Sequence, residues 1–186
     1  KHAVLSLLLQ ELGRKDTPYC YLDTHAGAGR YDLYAPEARK NAEHRGGIDR
    51  LWRRDDLPAA LRPYLDAVRA VNPAGTADAA PRWYPGSPRL ARHFLRPEDR
   101  MVLTELHPED SERLRREFTG DSQVAVTHLD GYQGLKAFVP PPEPRGLLLM
   151  DPAFERRDEV RHLIAALESA KSHWSHGLYA LSFPIT

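Results

Sequence analysis

The feature that most constrains the fold is an alternation of short apolar runs with helical patterns, in which the runs stop at acids. Residues 101–106 read as a strand, 108–118 as a helix, 124–129 as a strand and 131–138 as a short helix. Pro140, Pro141, Pro142 and Pro144 then form a stiff connection, followed by a strand over 146–150, a helix over 155–174 and a strand over 177–183. Upstream, Val4, Leu5, Leu7, Leu8, Leu9 and Leu12 suit a helix over 2–12 buried on most sides. Gly13 can stop that helix, and residues 19–23 read as an aromatic-rich strand ending at Asp23. Strands alternating with helices imply an α/β domain with a mostly parallel, doubly wound sheet. Ligands on such sheets bind beyond the carboxyl ends of the strands, so the residues there are the ones to inspect.

Several function classes are excluded by composition. No run of about 18 apolar residues exists, so no helical membrane span is expected. The single cysteine, Cys20, rules out an internal disulfide framework. It lies in the apolar run Tyr19-Cys20-Tyr21-Leu22 and is expected to be a buried, inert thiol in a reducing, cytoplasmic setting. No signal-peptide pattern stands at the start. The chain begins at Lys1 without Met and stops at Thr186 directly after a strand-like segment, and is read as a fragment.

Residues 35–95 differ from this pattern. They are rich in Arg, Ala, Pro and Asp, with helical segments near 46–54 and 58–71 and a Pro/Gly-containing loop over 72–88. They read as a helical subdomain inserted into a sheet domain made of 1–34 and 96–186. The formal net charge is zero, yet residues 35–100 carry 13 Lys/Arg against 9 Asp/Glu, a balance of +4. That asymmetry points to a local anionic partner or to solvated charge on helix faces.

The strand ends carry a coherent set. The first strand runs into Asp23-Thr24-His25-Ala26-Gly27-Ala28-Gly29, whose glycines let the backbone turn tightly and approach a ligand. The loop lacks the full G-x-G-x-x-G of dinucleotide enzymes and the Lys-Ser/Thr of a phosphate-binding loop. The next strand ends at Glu105, where a carboxylate can accept from a ribose diol. The third ends at Asp130-Gly131, and an acid there can accept from an exocyclic amine. The fourth, Leu147-Leu148-Leu149-Met150, ends in Asp151-Pro152-Ala153-Phe154. An acid directly after a buried strand must sit at the ligand face of the sheet. Pro152 fixes its own φ, its carbonyl can point at a substrate, and Phe154 offers a ring face to a base.

These segments, with Tyr84-Pro85-Gly86-Ser87-Pro88 and Leu103-Thr104-Glu105-Leu106-His107-Pro108, resemble the RlmJ family of bacterial methyltransferases that modify an adenosine of 23S ribosomal RNA. The resemblance runs along the whole chain. It implies a Rossmann-like class I methyltransferase sheet with an inserted helical subdomain, lacking here an N-terminal stretch and the final strands. It implies S-adenosyl-L-methionine as cofactor, with His2, His25 and Gly27 lining its pocket, Ser87 reaching its amino-acid end, Glu105 holding the ribose, and Asp130 with Gly131 at the adenine. Asp151 would be the catalytic residue, helped by Pro152 and Phe154. The family pattern is Asp-Pro-Pro-Tyr, so the second proline and the phenol hydroxyl are replaced here by Ala153 and Phe154.

The mechanism this implies is direct methyl transfer to the exocyclic N6, without a metal. Asp151 and the Pro152 carbonyl accept the two amine hydrogens, and positioning carries most of the rate. The target base must leave its stack, and Arg45, Arg50, Arg53, Arg54, Arg92 and Arg96 are candidate phosphate contacts on 23S RNA. A monomer is expected. Two alternatives remain at this point: a nucleotide-dependent dehydrogenase, which strand-end acids permit, and a non-catalytic nucleic-acid-binding protein linked to use of external DNA. Nine histidines invite a metal site, but no His-Glu-x-x-His appears, and His173 with His176 read as solvated or capping residues near a helix end.

Overall fold

A computed structural model of the chain describes residues 1–41, 43–72 and 80–184. Its centre is a five-stranded, wholly parallel sheet in the order β5-β4-β1-β6-β7. The strands are β1 (Tyr19–Asp23), β4 (Arg100–Glu105), β5 (Val124–His128), β6 (Arg145–Met150) and β7 (Leu178–Leu181). From β1 the chain moves outward through β4 to β5, then returns to the other side of β1 for β6 and β7. The strand order therefore reverses between β1 and β6, the place where an open α/β sheet forms its ligand crevice.

Alternation along the three central strands divides the apolar residues between two layers. Tyr19, Tyr21, Met101, Leu103, Leu147 and Leu149 join a core with helices α1 (His2–Gly13), α5 (Arg62–Ala70), α6 (Ser87–Phe94) and α7 (Pro108–Glu117). Cys20, Leu22, Val102, Leu148 and Met150 join the other with α8 (Gly131–Phe138) and α9 (Glu159–His173). Because all five residues of β1 are buried, its sequence reads as a continuous apolar run rather than an alternating one. Trp174, 1% exposed, closes the second layer beneath Gly146, where an added Cβ would meet the Cys20 carbonyl oxygen at 2.5 Å and the indole at 2.8 Å.

Helix α1 is less enveloped than its leucine content suggests. It buries the stripe His2, Leu5, Ser6, Leu9 and Leu12, while Val4 is 61% exposed. That spacing is the single face a 3.6-residue period offers to α5 and α6.

Within 35–95 lie α2 (Pro36–Asn41), α3 (Glu43–Gly46), α4 (Ile48–Leu51), a 3-10 turn over Ala59–Leu61, α5 and α6. Part of the connection expected over 72–88 lies outside the described residues. The described remainder contains β3 (Trp83–Pro85), which pairs antiparallel with β2 (Arg30–Asp32). Ile48, Trp52, Tyr64, Leu65, Val68 and Leu90 belong to the same apolar cluster as Leu5 and Leu9 of α1. The segment thus shares the sheet domain's core. Among the described residues no helix is long and apolar enough to cross a membrane.

Two of the arginines expected to meet RNA are used inside the fold instead. The Arg96 guanidinium makes a fork to Asp99, with Nε and Nη2 both 2.9 Å from its oxygens, and donates to the carbonyls of Lys15 and Thr17. Arg92 pairs with Asp121 and reaches Gln123. These contacts turn the Nε–Nη2 edge of each guanidinium, the edge that forks onto an acid, toward partners inside the fold. Asp99, 2% exposed, also accepts from the backbone of Tyr19 at 3.0 Å and of Arg96 at 2.9 Å, so it pins the start of β1 to the start of β4. Asp99→Ala strands a buried N–H and a guanidinium, and is expected to cost about 3–5 kcal/mol, read as a lower urea midpoint at unchanged slope.

Candidate functional site

The site forms where the loops after β1, β4 and β6 meet the N-termini of α8 and α9. Thr24 N donates to the Leu149 carbonyl at 3.1 Å, and Ala26 N to the Thr104 carbonyl at 3.1 Å. The loop after β1 is therefore tied to both neighbouring strands before the chain turns. Gly27 takes a left-handed φ of 64°, which a side chain would disfavour, and the Tyr31 hydroxyl occupies the space a Cβ would need, 2.3 Å away.

The acids gather there with distinct partners. Glu105 accepts from Gly27 N and from His107 N, both at 2.7 Å, one on each carboxylate oxygen. Asp130 caps α8 through Oδ1, taking Tyr132 N at 2.9 Å and Gln133 N at 3.1 Å. Its Oδ2 makes no hydrogen bond among the described residues. At Gly131 an added Cβ would stand 2.1 Å from the Thr24 carbonyl oxygen. The glycine is thus required by the close approach of α8 to the loop after β1.

Asp151 follows β6 as that strand emerges from the core, and its side chain is 14% exposed. Burial alone would raise its pKa. Hydrogen bonds from Lys1 and Ser182, with the positive charge of Lys1, outweigh that and hold the carboxyl below the usual range. Asp151 is therefore ionised at neutral pH. Pro152 is buried, and Phe154 lies partly against the second core layer with a left-handed φ of 56°, an uncommon conformation for a residue with a Cβ. That turn also delays helix α9, which starts at Glu159 rather than near 155.

Two neutral imidazoles stand among these acids. His25 is lowered in pKa first by burial, against the opposing charges of Glu159, Glu105, Asp130 and Asp151. It lies 2.8 Å from the Thr24 hydroxyl through Nδ1 and packs edge-on against Tyr132, centroids 5.1 Å apart. His2, 8% exposed, is pushed down to about 4 by burial and then by the Lys1 charge. Ser87, 6% exposed, hydrogen-bonds to buried Asp23, which also accepts from the Tyr21 hydroxyl at 2.8 Å. Burial raises Asp23 to about 6.

His2, His25, Gly27, Glu105, Asp130, Gly131, Asp151, Pro152 and Phe154 all lie on the elements that converge at this end of the sheet. Sequence reasoning missed Lys1, which nothing in an isolated lysine marks as a partner for Asp151. It also missed the Tyr132 hydroxyl that donates to buried Glu159 at 2.6 Å. The unbroken acid at the end of β1, Asp23, was the one available signal for the Ser87 contact. Of the basic candidates, Arg45, Arg50 and Arg53 are exposed and make no ion pair among the described residues, and Arg54 pairs with Asp56 in solvent. His173 bonds the Ser169 carbonyl and His176 packs edge-on against Trp174, so the two serve separate local contacts.

Comparison with known proteins gives this geometry a lineage. The chain is 44% identical over 185 residues to Ribosomal RNA large subunit methyltransferase J of Escherichia coli (strain K12), covering 100% of this chain and 65% of that protein. It is 41% identical to the protein of the same name from Haemophilus influenzae, again over 100% of this chain and 65% of the relative. It thus spans just under two thirds of the length of both relatives. A crystal structure of a Legionella pneumophila protein superposes with a TM-score of 0.90 at 37% identity, covering 99% of this chain and 66% of that one. The family model described as "Ribosomal RNA large subunit methyltransferase D, RlmJ" matches residues 16–186, and the chain belongs to that family.

Proposed function

We propose that the chain forms the S-adenosylmethionine-binding core of an adenine-N6 methyltransferase acting on 23S ribosomal RNA, with Asp151 as the catalytic residue. The observation that carries this reading is an ionised, largely buried carboxylate at the end of β6, beside the glycine loop at the strand-order reversal. Family membership and the names of the relatives support it. A cytoplasmic monomer belongs to the same proposal.

The set of acceptors suits a nucleoside cofactor. Each Glu105 oxygen takes only one backbone N–H, leaving lone pairs for a ribose diol, and Asp130 Oδ2 is open to an exocyclic amine. His2, His25, Gly27, Ser87 and Gly131 complete the proposed pocket. When bound, the cofactor supplies an electrophilic methyl on a sulfonium. The protein's task is to make a poor nucleophile reactive. Asp151 and the Pro152 carbonyl accept the two N6 hydrogens, which frees the lone pair from the adenine ring. The carboxylate stabilises the positive charge that develops on N6 and takes up the proton that leaves it. Lys1 keeps Asp151 in the ionised form this needs, and the exposed side of Phe154 offers a face to the base.

For RNA, residues 35–95 are the proposed contact surface, with Arg45, Arg50 and Arg53 as the phosphate contacts. Their guanidinium groups are exposed and unpaired among the described residues, whereas Arg92 and Arg96 are committed to internal partners.

Asp151→Ala in the full chain is expected to lower methyl transfer about a hundredfold or more while sparing cofactor affinity. Tritium transfer from labelled cofactor to unmodified 23S RNA measures it, and a near wild-type rate would sink the assignment. Lys1→Met tests the electrostatics. Activity requires ionised Asp151, whose pKa is held down by Lys1, so removing that charge should move the acidic limb of the pH–rate profile to higher pH. An unmoved limb would show that Lys1 does not set the ionisation. Reversing Arg45, Arg50 and Arg53 together to Glu should weaken RNA binding and flatten its salt dependence, with cofactor binding intact. Wild-type RNA affinity at low salt would remove these residues from the interface.

A further inference from the structure

Tyr84 opens the Tyr-Pro-Gly-Ser-Pro segment, and nothing derived so far requires a tyrosine there. Its hydroxyl lies 2.9 Å from His2 Nδ1 and 3.1 Å from the Tyr64 hydroxyl. Its ring stacks on the His2 imidazole, with centroids 5.5 Å apart and planes 20° from parallel. The three side chains come from α1, β3 and α5, so one hydrogen-bonded chain links a helix of the 35–95 segment to the edge of the candidate site.

Proton counting decides how this chain is oriented. Burial pushes both phenol hydroxyls up and the His2 imidazole down to about 4, so all three groups are neutral at pH 7. A neutral imidazole carries one N–H, on Nδ1 or on Nε2. Two hydrogen bonds join Tyr64, Tyr84 and Nδ1, and the two phenols supply two protons. If Tyr64 donates to Tyr84 and Tyr84 donates to Nδ1, both bonds are filled and the imidazole proton rests on Nε2. With the proton on Nδ1, three protons meet two bonds, and one phenol proton, on Tyr64 (a residue 6% exposed) or on Tyr84, has no acceptor among the described residues. Leaving that donor unbonded is the costlier arrangement. His2 Nε2 itself has no partner among the described residues, and it is not a buried, unsatisfied atom. It is an accessible N–H donor beside Lys1 and Asp151.

We propose that Tyr64 and Tyr84 are positioning residues that lock His2 in its Nε2–H form, so that it presents a neutral donor to the carboxylate at the amino-acid end of the cofactor. This rests on the cofactor reading above. It also gives the 35–95 segment a direct mechanical link to the cofactor pocket, through the Tyr64 hydroxyl on α5. Phenylalanine preserves both rings and the stack on His2, and removes only the hydrogen bonds.

The test has two arms. Ring-nitrogen NMR of 15N-histidine-labelled protein, with His2 assigned by its loss in His2→Gln, should find Nδ1 unprotonated and Nε2 protonated in the wild type. Tyr84→Phe should erode that preference into a tautomer mixture, and Tyr64→Phe should erode it to a lesser degree. Calorimetry then compares S-adenosylmethionine with its decarboxylated form. Tyr84→Phe should weaken the first by the factor by which the His2 Nε2–H population falls, about twofold for an even tautomer mixture, and leave the second unchanged. A wild-type His2 protonated on Nδ1, or equal weakening of both ligands, overturns the proposal. If the wild type binds neither ligand but shows the expected tautomer and its loss in Tyr84→Phe, the relay stands and the cofactor reading falls.

Discussion

Strand β1 is the element on which the site depends, because it is hydrogen-bonded on both edges and buried on both faces. Its register pairs Asp23 with Leu103 on one side and with Leu149 on the other. The bonds do not stop where the strand does. Thr24 and Ala26 continue them to β6 and β4, and the Thr104 hydroxyl reaches back to the carbonyls of Asp23 and Thr24. The loop that follows has little freedom left when it reaches Gly27. This is how a fold whose loops are otherwise tolerant of change can hold one loop backbone in place.

The same crowding separates the behaviour of two carboxyls near the reversal. Asp23 is buried with only hydroxyl and backbone donors, and burial wins, raising it to about 6. Asp151 is subject to the same penalty but has Lys1 against it, and the ammonium reverses the sign of the shift. One acid is thereby suited to holding neutral hydroxyls in place, and the other to meeting a developing positive charge. The Asp-Pro-Ala-Phe turn adds a local cost. Phe154 sits in the left-handed region, and its ring leans on the second core layer, which supplies packing to set against that strain.

The strands and the acids at their ends were legible because periodicity and termination are local properties. Helix α8 begins and ends where its pattern does, since Asp130 caps one end through its own neighbours. Helix α9 was placed four residues too early, because a left-handed residue without glycine leaves no mark in the sequence. The arginines show the limit more sharply. Arg45, Arg50 and Arg53 look the same in a sequence as Arg92 and Arg96. Only the fold brings Asp121 and the carbonyls of Lys15 and Thr17 within reach of the latter pair. Gly131 was expected to face a ligand, yet the steric demand on it comes from the Thr24 carbonyl, a contact between segments over one hundred residues apart.

By itself, then, the sequence determined the layered α/β architecture, the parallel sheet and the strand-end positions of Glu105, Asp130 and Asp151. Burial patterns repeat along the chain, and an acid after an apolar strand has one face to occupy. The tertiary structure decided the partners: Lys1 on Asp151, the Tyr64–Tyr84–His2 chain, and which arginines remain exposed. Charge and protonation respond to neighbours within a few ångströms, and those neighbours come from segments whose distance in sequence carries no record of their distance in space.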